Sequence, residues 1–266
     1  MSKLSNSLRE IETIDEIARR DQWMNRLHPL VKLCVTVFYM IMVVSFDRYN
    51  LMGLLGMLIY PLISFELGGI SVKDALYKLR MILPLVCLVG LFNPLFDRIP
   101  CGTFLGVHIT TGMLSMLTLI LKGIFTVLSS YLFIATTTIE EICSALRILH
   151  VPKLMVTQVL LIYRYLFVLM SEVDRITQAY SLRAPGQKGI HFKVWGCLVG
   201  QLLLRSMDRA DELYQSMCLR GYQGEFYHEN HHKLFFSDVG YLMIWIVILL
   251  IFRIFPVFEI IGGLII

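Results

Sequence analysis

Several features are missing from this chain, and each absence narrows what it can be. There is no Gly-x-x-x-x-Gly-Lys-[Ser/Thr] loop, so nothing here is built to cradle the phosphates of a nucleotide. No Cys-x-x-Cys pair occurs among the six cysteines, Cys34, Cys87, Cys101, Cys143, Cys197 and Cys218. Most of them fall in hydrophobic or helix-patterned runs, where cysteine behaves as a small apolar residue, and a disulfide framework is not expected. Charge is scarce, with 17% Asp, Glu, Lys and Arg and a net charge of +4. No basic tract with interleaved aromatics appears, which argues against a nucleic-acid partner. The first residues are polar as far as Leu27, a layout unlike a signal peptide, so no cleavage is expected.

What is abundant is apolar sequence. The chain is 56% hydrophobic, with a mean hydropathy of +0.68, well above soluble averages. Five runs are candidate membrane spans: Leu30–Phe46, Leu51–Phe65, Met81–Phe96, Met113–Thr136 and Val239–Phe258. A bilayer core asks for about 20 apolar residues per helix, with about 17 near the lower limit. The second and third runs are short, and the third carries Pro84 and the Asn93-Pro94 pair, which ends or kinks it. Broken helices are tolerable in a membrane where neighbouring helices cover the freed backbone. The expected fold is therefore all-α: a polytopic membrane protein with about five transmembrane helices. The expected organisation is a cytosolic segment at 1–29, four spans within 30–136, a cytosolic helical segment at 137–238, and a last span within 239–266.

The side assignment follows from positive charge. With the N-terminus in the cytosol, all but four of the 24 basic residues fall on the cytosolic side. The exceptions are Arg48 and Arg98 in outer loops, and Lys122 and Arg253 within proposed spans. Five spans then put the two termini on opposite sides of the membrane.

The long polar segment has a helical pattern. Glu140 to His150 places Ile142, Ala145, Leu146 and Leu149 at helical spacing until Pro152 interrupts, with Thr138 as the expected cap. Leu154 to Arg183 is apolar up to Met170 and charged afterwards; Val194 to Arg220 repeats that layout. The apolar halves are expected to lie along the inner membrane surface or against the spans. Both helices end in Leu-Arg followed by a stop: Leu182-Arg183-Ala184 before Pro185-Gly186, and Leu219-Arg220-Gly221. A guanidinium presents a rigid fork of donors suited to carboxylate-lined grooves on another protein. Helices also end in arginine simply to complement their dipole, a gain of about 0.3–1 kcal/mol. The pattern alone leaves both readings open.

Read along its length, the chain resembles the transmembrane T-subunit of energy-coupling-factor (ECF) ABC-type importers, most closely the cobalt-type T-subunit of the CbiQ family. The resemblance begins at Arg26-Leu27-His28-Pro29-Leu30-Val31-Lys32-Leu33. It continues through Thr136-Thr137-Thr138, Ala145-Leu146, Pro152-Lys153 and Tyr163-Arg164-Tyr165-Leu166. It then takes in Ala179 to Arg183, Leu204-Arg205-Ser206, Tyr214-Gln215-Ser216-Met217 and Leu219-Arg220-Gly221. In that family the arginine of each short x-Arg-x motif closes a coupling helix and inserts into a groove on an ATPase subunit. The resemblance therefore implies ATPase-coupling roles for Leu182, Arg183, Ala184, Leu219, Arg220 and Gly221. The first motif departs from the commoner Ala-Arg-Gly form.

The implied protein is a scaffold in a prokaryotic cytoplasmic membrane, without cofactor of its own and not an enzyme. Its implied partners are two cytosolic ABC-type ATPase subunits that hydrolyse ATP, a membrane S-subunit that binds substrate, and in some assemblies a small accessory membrane subunit. The nearest branch carries cobalt or nickel, while shared T-subunits serve vitamin-specific S-subunits.

One motif argues for an enzyme instead. His228-Glu229-Asn230-His231-His232 matches His-Glu-x-x-His, the metalloprotease pattern in which two histidines one helical turn apart bind zinc and the glutamate activates water. It sits in a polar connector near Gly224 with no evident third ligand, which favours a solvated loop. Lys122 is costly in lipid and is expected to make an intramembrane polar contact with other helices or a partner. His28 and His108 stand alone near span ends, where hydrogen bonding is the ordinary role.

Overall fold

A computed structural model describes residues 13, 15–96, 100–104, 107–184, 186, 189–224 and 235–254. In chain order its elements are α1 (Pro29–Val44), α2 (Leu51–Gly56), α3 (Ile59–Gly68) and α4 (Val72–Phe96). The strands β1 (Pro100–Phe104) and β2 (Val107–Thr110) follow. Then come α5 (Thr111–Thr136), α6 (Ile139–Ile148), α7 (Lys153–Arg183), α8 (Phe192–Leu219) and α9 (Phe236–Ile254). The chain is an all-α multi-pass membrane protein carrying one small antiparallel hairpin. The described residues divide into two compact units, one from the Cys143–Asn230 stretch and the other from the Thr13–Ile142 and His231–Ile266 stretches.

The larger unit is a bundle built around α1. Its entry is set by local chemistry: Nδ1 of His28 accepts the backbone N–H of Leu30, and Pro29 occupies the first helical position, where a missing N–H costs nothing. Val31, Val35, Tyr39 and Val43 recur every fourth residue and are all buried. Against that stripe pack Leu54, Tyr60, Phe125, Leu132 and, from α9, Tyr241, Trp245 and Leu249. The rings of Tyr39 and Tyr60 lie 4.4 Å apart, and Trp245 stands edge-on to Tyr60 at 4.8 Å. Phe252 of α9 lies so close to Gly56 that a Cβ there would come within 2.8 Å of its ring.

Among the described residues four segments are long and apolar enough to cross a membrane: Leu51–Gly68, Thr111–Thr136, Lys153–Arg183 and Phe236–Ile254. Pro29–Val44 and Leu83–Pro94 are shorter apolar helices. The second expected span is therefore longer than the apolar run suggests, and it is broken at Met57 and Leu58 between α2 and α3. The hydroxyl of Tyr39 donates to the carbonyl of Met57 at 3.0 Å, covering one polar group that the break frees. The third span tolerates Pro84 and Pro94 inside α4. There α4 and α5 pack closely through Gly90 and Gly123, and Asn93 donates to Ser115 at 3.2 Å. The paired strands Pro100–Phe104 and Val107–Thr110 are not foreseen by the hydropathy pattern. The length and apolar first half of α7 match the pattern read from Leu154 to Arg183, and on composition alone they make this helix, assigned above to the cytosolic segment, as eligible to span as α5.

Candidate functional site

The smaller unit consists chiefly of α7 and α8, two long helices that bury almost nothing. Only Val156 and Thr157 of α7 are buried, and no residue of α8 is. They meet over a limited stretch, around Val168, Leu169 and Glu172 on α7 and Leu202, Arg205, Ser206 and Arg209 on α8. Arg205 donates to the carboxylate of Glu172, which also faces Arg175 at 3.8 Å. Two clefts flank this meeting point. One, of 260 Å³, is lined by charged groups including Glu172, Arg205, Asp208, Arg209 and Glu212. The other, of 420 Å³, is mainly apolar and runs from Leu161 and Ile162 to Leu213 and Met217. Tyr214 lies along its edge, and a hydrogen bond with Cys218, one turn further on, holds its hydroxyl above the ordinary tyrosine value.

Beyond the meeting point both helices run free to their C-terminal tips. From Glu172 to Arg183 is about 16 Å along the axis, and from Arg205 to Arg220 about 22 Å, at a rise of ~1.5 Å per residue. The tips end differently. At α7 the N–H of Ala184 donates to Tyr180 at 3.0 Å, with Ala184 at φ −124°. At α8 the chain turns left-handed at Gly221 (φ 83°), Gly221 N–H reaches the Cys218 carbonyl, and Tyr222 N–H reaches that of Met217, both at 3.0 Å. That pair of bonds is the Schellman closure, which needs a residue comfortable at positive φ.

Arg183 and Arg220 are both exposed. Neither makes a hydrogen bond or ion pair with another described residue. Beside each arginine stands a bare leucine, Leu182 at 82% exposure and Leu219 at 89%. Each tip thus presents a cation unpaired among the described residues, next to an uncovered apolar side chain. Lys122, by contrast, is used within the bundle. Its ammonium donates to the carbonyls of Val44, at 3.1 Å, and Phe46, closing the C-terminal end of α1. Arg253 joins it there through the Ser45 carbonyl at 3.0 Å.

Among the described residues no cluster of three or more His, Cys, Asp or Glu side chains is placed to hold a metal. The His228-Glu229-Asn230-His231-His232 match lies outside the described residues, and so do Pro185 and Lys188. His28 is buried and serves as the α1 cap; His108 lies in β2. Cys34, Cys87, Cys143, Cys197 and Cys218 are not in disulfides. The Glu172–Arg205 contact and the two clefts were not among the sequence candidates. Charged residues standing in apolar stretches were the only signal for them.

A bundle of apolar helices, together with two mostly uncovered amphipathic helices with cationic tips, defines the class: a multi-pass membrane protein. Its family can be named: a family model described as CbiQ, cobalt transport protein, matches residues 20–232, and the chain belongs to that family. An uncharacterized protein of Methanocaldococcus jannaschii is 27% identical over 139 residues, covering 52% of this chain and 48% of the relative. The nickel permease LarQ of Lactiplantibacillus plantarum is 27% identical over 103 residues, 39% of this chain and 38% of the relative. The cobalt transport protein CbiQ of Salmonella typhimurium is 30% identical over 89 residues, 33% and 39%. The matched stretches span less than half the length of each of these relatives.

Proposed function

We propose that this chain is the transmembrane coupling subunit of an ECF-type ABC importer, with cobalt or nickel as the cargo of the assembled transporter. The observation that carries the reading is the pair of tips: Leu182-Arg183 and Leu219-Arg220 are exposed, and neither arginine has a partner among the described residues. A bare guanidinium beside a bare leucine fits a groove with acidic walls and an apolar floor, the kind of surface an ATPase subunit would offer. The names of two relatives, a nickel permease and a cobalt transport protein, support the choice of cargo.

The mechanism is mechanical. ATP binding and hydrolysis belong to two partner ATPases, which grip one tip each. As those subunits close and open, the tips follow, and α7 and α8 turn about their meeting point at Glu172 and Arg205. The apolar first halves of the two helices lie along the inner membrane surface and face a substrate-binding membrane subunit. In this reading the N-terminus and the 137–238 segment are cytosolic, which the distribution of basic residues supports.

Breaking a buried arginine–carboxylate pair by removing one partner typically costs about 3–5 kcal/mol, because the other charge is left unpaired. The Arg183→Glu and Arg220→Glu double variant is therefore expected to lose ATPase association while still inserting into the membrane. Co-purification of the ATPases in mild detergent measures this. Unchanged ATPase recovery with the double variant defeats the proposal.

A further inference from the structure

Outside the tips, the most unusual group in the chain is Lys32, a cation sealed within the bundle at 2% exposure. Its ammonium donates to the Asn25 carbonyl at 3.0 Å and to the Thr136 carbonyl at 2.8 Å. Thr136 is the last residue of α5, so Lys32 closes the end of that helix, whose free carbonyls favour a cation. The same ammonium lies 4.0 Å from the carboxylate of Glu141, in the first turn of α6. Asp238, buried in the first turn of α9, acts on it through space.

Glu141 already has a second task. Its carboxylate accepts the N–H of Thr138 at 3.1 Å, and its own N–H donates to the Thr138 hydroxyl at 3.3 Å, a reciprocal capping box that starts α6. One carboxylate therefore joins the start of α6 to a lysine rooted in α1. The helix that begins here runs out of the bundle unit at Ile142 and into the unit that bears the two tips.

We infer that Lys32 and Glu141 form a latch that fixes the first turn of α6 to the membrane bundle, so that movement of the tip-bearing unit is passed to the bundle through this point. Lys32 is then a positioning residue for coupling, and it makes no contact with cargo or nucleotide. The functional half of this inference rests on the proposed coupling role; the structural half does not.

Two measurements separate those halves. The first is amide hydrogen exchange on the full chain in lipid nanodiscs, without partners. Lys32→Met is expected to speed exchange across Ile142–Leu146 by about tenfold or more, the scale of one buried donor lost, while Leu51–Gly68 stays unchanged. Adding Glu141→Gln to Lys32→Met is expected to bring exchange back toward wild type, because it removes the carboxylate left without its cation. An unchanged rate at Ile142–Leu146, a uniform rise across the bundle, or a double variant equal to the sum of the singles overturns the latch. The second measurement is transport per ATP hydrolysed by the reconstituted assembly. Lys32→Met is expected to keep ATPase binding and hydrolysis while losing most transport; full transport per ATP overturns the coupling half. Should the wild-type chain bind no ATPase, the coupling reading itself fails, and the exchange result still decides the latch.

Discussion

The bundle and the α7–α8 pair both carry apolar stretches, and they put them to opposite uses. In the bundle Tyr39, Leu54, Met57, Leu132 and Leu249 are sealed away, and the Tyr39 hydroxyl donates to the Met57 carbonyl. In α8, Trp195, Val199, Leu203, Leu204 and Met207 are all at least half exposed, and nothing in the helix is buried. The first region carries its own core. The second carries an uncovered surface, which is what the proposed coupling role requires. Apolar content alone therefore does not say whether a helix is structural or relational; the difference lies in what its charged residues reach. Lys32 and Lys122 turn inward onto helix-end carbonyls, while Arg183 and Arg220 reach no partner among the described residues.

The sharpest way to break this comparison is to ask which side of the membrane each end of α7 occupies. With the native cysteines replaced by alanine, single cysteines at Leu154 and Leu182 are expected to react with an impermeant maleimide from the cytosolic face only. Labelling from opposite faces would make α7 a true span and move it out of the contact surface. Next in size is the stability contrast. Leu132→Ala, in the sealed core, is expected to cost about 2–5 kcal/mol, whereas Leu203→Ala on α8 changes the unpartnered chain by about 0.5 kcal/mol or less. Thermal unfolding in detergent reads both, and equal losses would mean that α8 has a hidden core of its own. Gly221→Ala forces a side chain into left-handed backbone and is expected to cost about 1–2 kcal/mol, confined to the α8 tip and visible as faster exchange at Cys218–Tyr222.

The smallest effect belongs to Asp21, exposed and paired to Arg26 through two bonds of 2.6 and 2.7 Å. The hydrogen bond and then the charge of that guanidinium hold the Asp21 carboxyl below the ordinary carboxylate value. Its contribution is thus present above that ordinary value and lost as pH falls through the depressed one. Asp21→Asn is expected to flatten the acid side of the stability profile slightly, below about pH 4.

Much of this architecture was legible in the residues because it is written in local signals. Four of the five expected spans contain a described helix close to the apolar run, and the capping box at Thr138 and the stop at Gly221 follow from single residues and their spacing. The third run was legible only in part, since α4 begins at Val72, well before the apolar stretch from Met81, with Lys73, Asp74 and Lys78 in its polar first turns. What stayed hidden depends on partners distant in sequence. The break at Met57 is tolerable because Tyr39 reaches it from another helix, and Lys32 looks like an ordinary membrane-entry lysine until Thr136 and Glu141 arrive beside it. The pairing of Glu172 with Arg205 is invisible for the same reason: each charge finds its partner on a different helix.

The left-handed turn at Gly221 also has a stereochemical consequence. No atom lies within 4 Å of where a Cβ would stand, so handedness alone, and not crowding, reserves the position for glycine. A mirror-image residue satisfies that demand: D-alanine introduced there by chemical ligation would adopt the native angle without strain and would restrict the unfolded chain. The α8 tip would then be stiffer than nature made it, with Arg220 still presented in the same direction.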